Sequence, residues 1–222
     1  MRHAVLVLAV LWAGCGSDAV VNQPAAIRPE LRDALEAEIA AIRADPVSSV
    51  GFGEKAYTPY EPNVARGLIT VPGEDITARL QEEIEGSGDR AYRLALLHVL
   101  GRRGDERVDR ALLAALEDPS LRATAAYLLG RAGFKPYAAR PRDEAALRAA
   151  LRRHLDDDAT FDDPFYRQSF RVGDFALGAY IRLTGPKRFT FADRTVGDDV
   201  GYELPRFGDQ REDLLAQAQR TG

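Results

Sequence analysis

Apolar residues recur along this chain at spacings of three and four, the mark of helices that bury one face. Leu31, Leu35, Ile39 and Ile42 open the series, with Pro29 and Glu30 suited to a first turn and Asp45-Pro46 ending it. Residues 46–62 hold three prolines and two glycines and read as a connecting loop. A short apolar helix over residues 63–73 (Val64, Leu68, Ile69, Val71) then precedes one carrying Ile76, Leu80 and Ile84. The two-part pattern returns as Leu96, Leu97, Val99 and Leu100, followed by Val108, Leu112, Leu113 and Leu116. It returns again as Leu121, Ala125, Leu128 and Ala132, followed by Leu147, Leu151 and Leu155. A fourth unit starts near Arg171 with Val172, Phe175, Ala176, Ala179, Tyr180 and Leu183. Its second helix comes late, where Asp209 and Glu212 read as a capping box ahead of Leu214, Leu215 and Ala218.

The first helix of each pair closes on a glycine: Gly73, Gly104, Gly133 and Gly185, at intervals of 31, 29 and 52 residues. A helix that stops sharply before an antiparallel partner calls for a left-handed residue, which costs glycine least. Asp118-Pro119 supplies an N-cap and a first-turn proline for the third unit. No single pair can bury its own stripes, so neighbouring pairs are expected to stack. The expected fold is all-α, with about four antiparallel helix pairs and an extra N-terminal helix.

Two runs carry a family resemblance. Leu-Leu-His-Val-Leu-Gly-Arg-Arg-Gly-Asp from Leu96, and Leu-Leu-Ala-Ala-Leu-Glu-Asp-Pro from Leu112, look like the helix–turn–helix and acidic turn of HEAT repeats. The resemblance is to the short bilin-lyase-like bacterial subclass. It is strongest over residues 90–133 and extends loosely over residues 63–220. It implies a right-handed helical-repeat solenoid across residues 30–222. The period near 30 is shorter than usual for the family, and insertions interrupt it at 134–142, 156–170 and 186–208.

The N-terminus reads as an address. Arg2 and His3 precede ten uninterrupted apolar residues, Ala4 to Ala13. As a helix that run is about 15 Å long, half of a roughly 30 Å hydrocarbon core, so it has the length of a secretory signal and not of a membrane span. Ala13-Gly14 before Cys15 resembles the lipobox of bacterial lipoproteins, with Trp12 standing where the family usually has Leu. The resemblance implies a signal peptide at 1–14, cleavage before Cys15, and acylation of that cysteine. Gly16 in place of the inner-membrane retention Asp implies the outer membrane. Residues 15–29, with two prolines and no period, read as a flexible tether.

Composition narrows the chemistry. A single Cys excludes a disulfide framework and any cysteine-based metal site within the monomer. A formal charge of -4 leaves no basic footprint for nucleic acid. There is no nucleophile elbow, zinc-protease helix or Walker loop, and Gly51-Phe-Gly53-Glu-Lys55 reads as a turn. His98, inside an apolar stripe, reads as a packed histidine. His154, at a helix end, reads as an imidazolium favoured by the dipole. Asp156, Asp158, Thr160 and Asp162 alternate like calcium ligands, but Phe161 stands where a sharp turn needs Gly and Arg167 where a bidentate Glu belongs. A solvated loop is the favoured reading.

Ten of the eighteen aromatic residues fall within residues 156–208. Phe161, Phe165 and Tyr166 in one insertion, and Phe189 and Phe191 in the other, are not periodic. Two roles are open to them: covering the end of the stack, which is favoured, or forming a partner-binding surface. The expected function is a membrane-anchored envelope lipoprotein acting as a non-enzymatic protein–protein scaffold, with no cofactor or metal and an envelope protein as partner. The alternative is an enzyme or enzyme accessory using the acidic–aromatic loop at 156–170.

Overall fold

Each apolar stripe in the described part of the chain becomes the buried face of a helix. A computed structural model describes residues 29–47, 74–131, 140–164, 168–191, 194–195 and 207–221. Within them lie eight α-helices: α1 (Pro29–Ala44), α2 (Glu74–Gly86), α3 (Arg90–Gly101), α4 (Arg107–Glu117), α5 (Arg122–Arg131), α6 (Glu144–Arg152), α7 (Val172–Thr184) and α8 (Arg211–Arg220). Ile76, Leu80 and Ile84 of α2, Val108, Leu112 and Leu116 of α4, and Leu147, Leu151 and Leu155 of α6 and its C-terminal turn are all buried. The expected signal peptide, the tether up to residue 28, the helix at 63–73 and residues 134–139 lie outside the described residues. None of the described helices is long and apolar enough to cross a membrane.

Helix starts follow local chemistry. Asp89 accepts from the Tyr92 amide at 3.2 Å to cap α3, and Asp143 accepts from the Ala146 amide at 3.0 Å to cap α6. Asp118 caps the turn with Pro119 that leads into α5, whereas the second expected cap takes another form. Asp118 folds a turn by accepting from the Ser120 amide (2.8 Å) and hydroxyl (2.7 Å), so α5 begins only at Arg122. Asp209 and Glu212 make no capping box: a 3₁₀ turn over Gly208–Gln210 leads into α8, and Glu212 accepts from Arg211 instead. Among the closing glycines described, Gly185 takes a positive φ of 102°, whereas Gly104 is not among the positive-φ glycines. Helix α3 has already ended at Gly101, where the Arg102 amide turns back to the Val99 carbonyl at 3.2 Å and the Arg103 amide to the Leu100 carbonyl at 3.0 Å.

The packing has a serial order. Helix α5 lies between α3 and α7, while α2 packs on α3, α4 on α5, and α6 on α7; α1 touches α3 and α8 covers α7. The row α3–α5–α7 is held close by residues one repeat apart. A Cβ built on Gly101 would stand 2.9 Å from Leu128 side-chain atoms of α5. One built on Gly130, 29 residues later, would stand 2.8 Å from the Ala179 Cα of α7. Backbone cannot yield as a side-chain tip can, so the second position is the stricter. Gly130→Val is expected to destabilise by about 1–3 kcal/mol through overpacking, read as a lower urea midpoint. An unchanged midpoint would show that α5 and α7 are free to separate.

Arginines tie successive helices in the same register. Arg93 donates from Nε to the Ile84 carbonyl at 2.8 Å and from Nη2 to Asp118 at 2.5 Å. Arg122, again 29 residues on, donates from Nε to the Leu116 carbonyl at 2.9 Å and from Nη1 to Asp157 at 3.0 Å. Ile84 and Leu116 are the third stripe residues of their helices, and Leu155 is the next in that series. Its carbonyl receives Arg211 Nη2 at 3.1 Å, but here the arginine comes from α8. Such charge-assisted bonds to helix-end carbonyls satisfy acceptors that the helix itself leaves open.

The described residues are mostly helical, but the late insertions, which read as loops in sequence, contain strands. Strand β1 (Thr160–Asp163) pairs antiparallel with β2 (Gln168–Arg171), and β3 (Thr190–Phe191) pairs with β4 (Arg194–Thr195). The β1 side chains alternate exposed and buried, a period of two that is too short to stand out against the helical background.

Candidate functional site

Phe161 and the acids of 156–163 lie in the hairpin β1–β2 or just before it, next to the start of α7. Phe161 and Phe170 face each other across the hairpin. Both rings meet Phe175 of α7 edge-on, with centroids 6.4 and 5.4 Å away. Phe175 in turn meets Tyr127 of α5 at 6.0 Å, and Tyr127 meets His98 of α3 at 6.3 Å. Arg90 closes the outer side, with its guanidinium 4.7 Å over the Phe161 ring and a 2.9 Å bond to the Asp162 carbonyl. The hairpin therefore lies over the helix row as part of the core. Phe161 is 3% exposed and Phe189 is fully buried. For these two residues the geometry favours the covering role over a partner-binding surface. Phe165 and Tyr166 lie outside the described residues, as does Cys15. Phe191 is placed in β3 by its backbone.

The five acids of 156–163 are distributed among separate partners. Asp156 accepts from Gln219, Asp157 pairs with Arg122, and Asp162 accepts from Ser169. Asp158 faces Arg171 and Arg211 at 3.6 and 3.7 Å, and Asp163 is buried. Among the described residues no group of three His, Cys, Asp or Glu side chains is arranged to hold a metal ion. Beside the hairpin, Ser169, Arg171, Asp174, Arg211 and Glu212 line an open polar cleft of about 320 Å³. Arg211 bonds Asp174 at 2.8 Å and Glu212 at 3.0 Å. Burial pushes the Asp174 carboxyl pKa up, against the pull of that guanidinium. Positive and negative groups here cancel in pairs.

The histidines differ from each other. His98 is buried, and desolvation, then the nearby Arg102 and Arg131 charges, lower its pKa to about 3. It is neutral wherever it could serve as a base. For His154 the position at a helix end favours an imidazolium, but burial, then Arg122, lowers its pKa. For both, the unfolded chain binds a proton that the folded one resists. Stability is therefore expected to fall as pH drops from about 6.5, at a slope approaching 1.4 kcal/mol per unit for each fully resisting site. Urea titrations at pH 7, 6 and 5 should show a shallower fall for His98→Gln than for the parent. Equal slopes would mean that His98 protonates in the folded protein.

The sequence reading missed a charged clasp. Arg140 donates to Asp109 from Nε (3.0 Å) and Nη2 (2.6 Å), and from Nη1 to the Gly101 and Arg103 carbonyls (both 3.2 Å). Arg142 donates to the same carboxylate at 2.8 Å and to the Leu129 carbonyl at 2.8 Å. One carboxylate from α4 thus fixes two arginines that close the ends of α3 and α5. Its only sequence trace is an Asp on the inner face of an amphipathic helix. Compared with known proteins, the chain matches no family model, no curated protein and no solved structure.

Proposed function

We propose that the protein is a lipid-anchored component of a bacterial cell envelope, held by acylated Cys15 in the outer membrane, and that its helices form a right-handed HEAT-like solenoid serving as a non-enzymatic scaffold for another envelope protein. One observation carries the scaffold reading. Residues 29 positions apart make matching contacts, Arg93 with Arg122 and Gly101 with Gly130, so successive helices meet in one repeated register. Stacks of that kind expose long surfaces built from several helices, which suits docking. The anchor rests on the run from Arg2 to Cys15. An enzyme or accessory built on residues 156–170 would need converging carboxylates, and these are engaged with separate partners.

The anchor is tested by palmitate labelling and detergent-phase partitioning. The wild-type chain is expected to carry label and to enter the detergent phase, with both lost in Cys15→Ser; an unlabelled wild type overturns the anchor. The scaffold is tested by photo-cross-linkers placed in cells at exposed positions such as 114 and 213. Discrete protein adducts are expected, and their absence from every exposed position overturns it.

A further inference from the structure

A hollow of about 120 Å³ opens between α2 and α4, with Leu97 and Leu100 as its floor, Glu85 on one side, and Ala111, Ala114 and Ala115 on the other. At the matching positions between α4 and the C-terminal turn of α6 stand an exposed ion pair and a histidine. The stripe residues Ile84, Leu116 and Leu155 set the correspondence: Glu85 matches Glu117, and Ala114 and Ala115 match Arg153 and His154. At the α4–α6 boundary Arg153 Nη2 donates to Glu117 at 2.7 Å. His154 sits half-buried in the field of Arg122 and Glu117. The neighbouring ion pairs also correspond, Arg93 with Asp118 at one boundary and Arg122 with Asp157 at the other. At the α2–α4 boundary the carboxylate is therefore kept, while methyl groups replace the guanidinium and the imidazole. Glu85 is exposed and accepts from Gln81 on its own helix at 2.8 Å, while Arg93, which also lines the hollow, is engaged with the Ile84 carbonyl, Ser120 and Asp118.

We propose that this hollow receives an arginine side chain from a partner protein, whose guanidinium pairs with Glu85 while its methylene stem crosses Ala111, Ala114 and Ala115. Charge and shape agree on this occupant. An arginine stem buries apolar surface while its head stays at the solvent edge, and a guanidinium can fork onto a carboxylate. The proposal rests on the scaffold reading and supplies the chemistry of its partner.

The test uses the full chain and two short blocked peptides, acetyl-Ala-Arg-Ala-amide and the same peptide with neutral, isosteric citrulline. In amide-correlation NMR the arginine peptide is expected to shift residues 85, 111, 114 and 115 saturably, and to bind about two- to fivefold tighter than the citrulline peptide, as suits an exposed ion pair. Glu85→Gln should remove that difference. Ala114→Arg should supply the missing guanidinium from within and abolish the shifts; if that variant folds poorly, Glu85→Gln alone decides. Equal binding of the two peptides, shifts that persist in Ala114→Arg, or no shift at those amides overturns the proposal. Adducts from position 213 together with a hollow that ignores the peptide would overturn this inference and leave the scaffold standing. No adducts from any position would remove the scaffold itself.

Discussion

Asp109→Ala is expected to destabilise the protein by about 3–5 kcal/mol, because it leaves buried charge without its counter-charge. The Arg140 side chain is fully buried and that of Arg142 is 10% exposed, and both guanidiniums converge on the Asp109 carboxylate. Burial already pushes the Arg140 pKa down, a sign that its charge is held there against desolvation. The remaining acceptors, the Gly101 and Arg103 carbonyls for one arginine and the Leu129 carbonyl for the other, carry no net charge. For a chain of this size the loss corresponds to roughly 6–20 °C in melting temperature. Asp109→Asn keeps the shape and some hydrogen bonding and should fall between wild type and Ala. Adding Arg140→Met to Asp109→Ala should recover part of the loss, because the unpaired charge is then gone. A melting temperature within about 2 °C of wild type for Asp109→Ala, at most about 1 kcal/mol by the same scaling, would mean that water reaches the clasp and solvates it.

Phe161→Ala is the second large effect, expected at about 3–5 kcal/mol, the usual cost of emptying a buried aromatic site. The ring touches Phe175 edge-on and carries Arg90 on its outer face, so its removal also loosens the pairing with Phe170. Phe189→Ala should behave similarly, since that ring is fully buried. The same pair of variants decides between the two roles open to the late aromatics. Lower thermal stability with an earlier, still cooperative transition is the signature of a cover over the helix row. A variant that melts like the parent yet loses its envelope cross-links would instead assign the ring to a docking surface.

Most of the helical content was legible because burial imposes a period, and the period survives in the residue order. Leu112, Leu151 and Leu80 needed no knowledge of their neighbours to be placed on inner faces. The hairpins were not legible, since strands of four and two residues are too short to show a period, and Phe161 and Phe170 acquire meaning only through Phe175. Helix ends were legible in part: Gly185 takes the expected positive φ, while α3 stops before Gly104 by turning its amides back on itself. The clasp at Asp109 could not be read, because its arginines lie more than thirty residues away in a connecting segment. Arg93 and Arg122 were readable in principle, since aligning the second and third units superposes them. Two of their targets, the Ile84 and Leu116 carbonyls, leave no trace in residue identity. The hollow beside Ala114 is legible only by comparing one helix boundary with the next.

The arginine that α8 lends to the Leu155 carbonyl limits how the protein can change in length. Arg93 and Arg122 each tie the helix before them to an aspartate after them, so a duplicated segment of 29 residues would carry the same pair of attachments. Beyond α7 the tie runs backwards from α8, and that helix also holds Asp174. A copied helix pair placed after α7 would therefore first have to displace α8 from both partners.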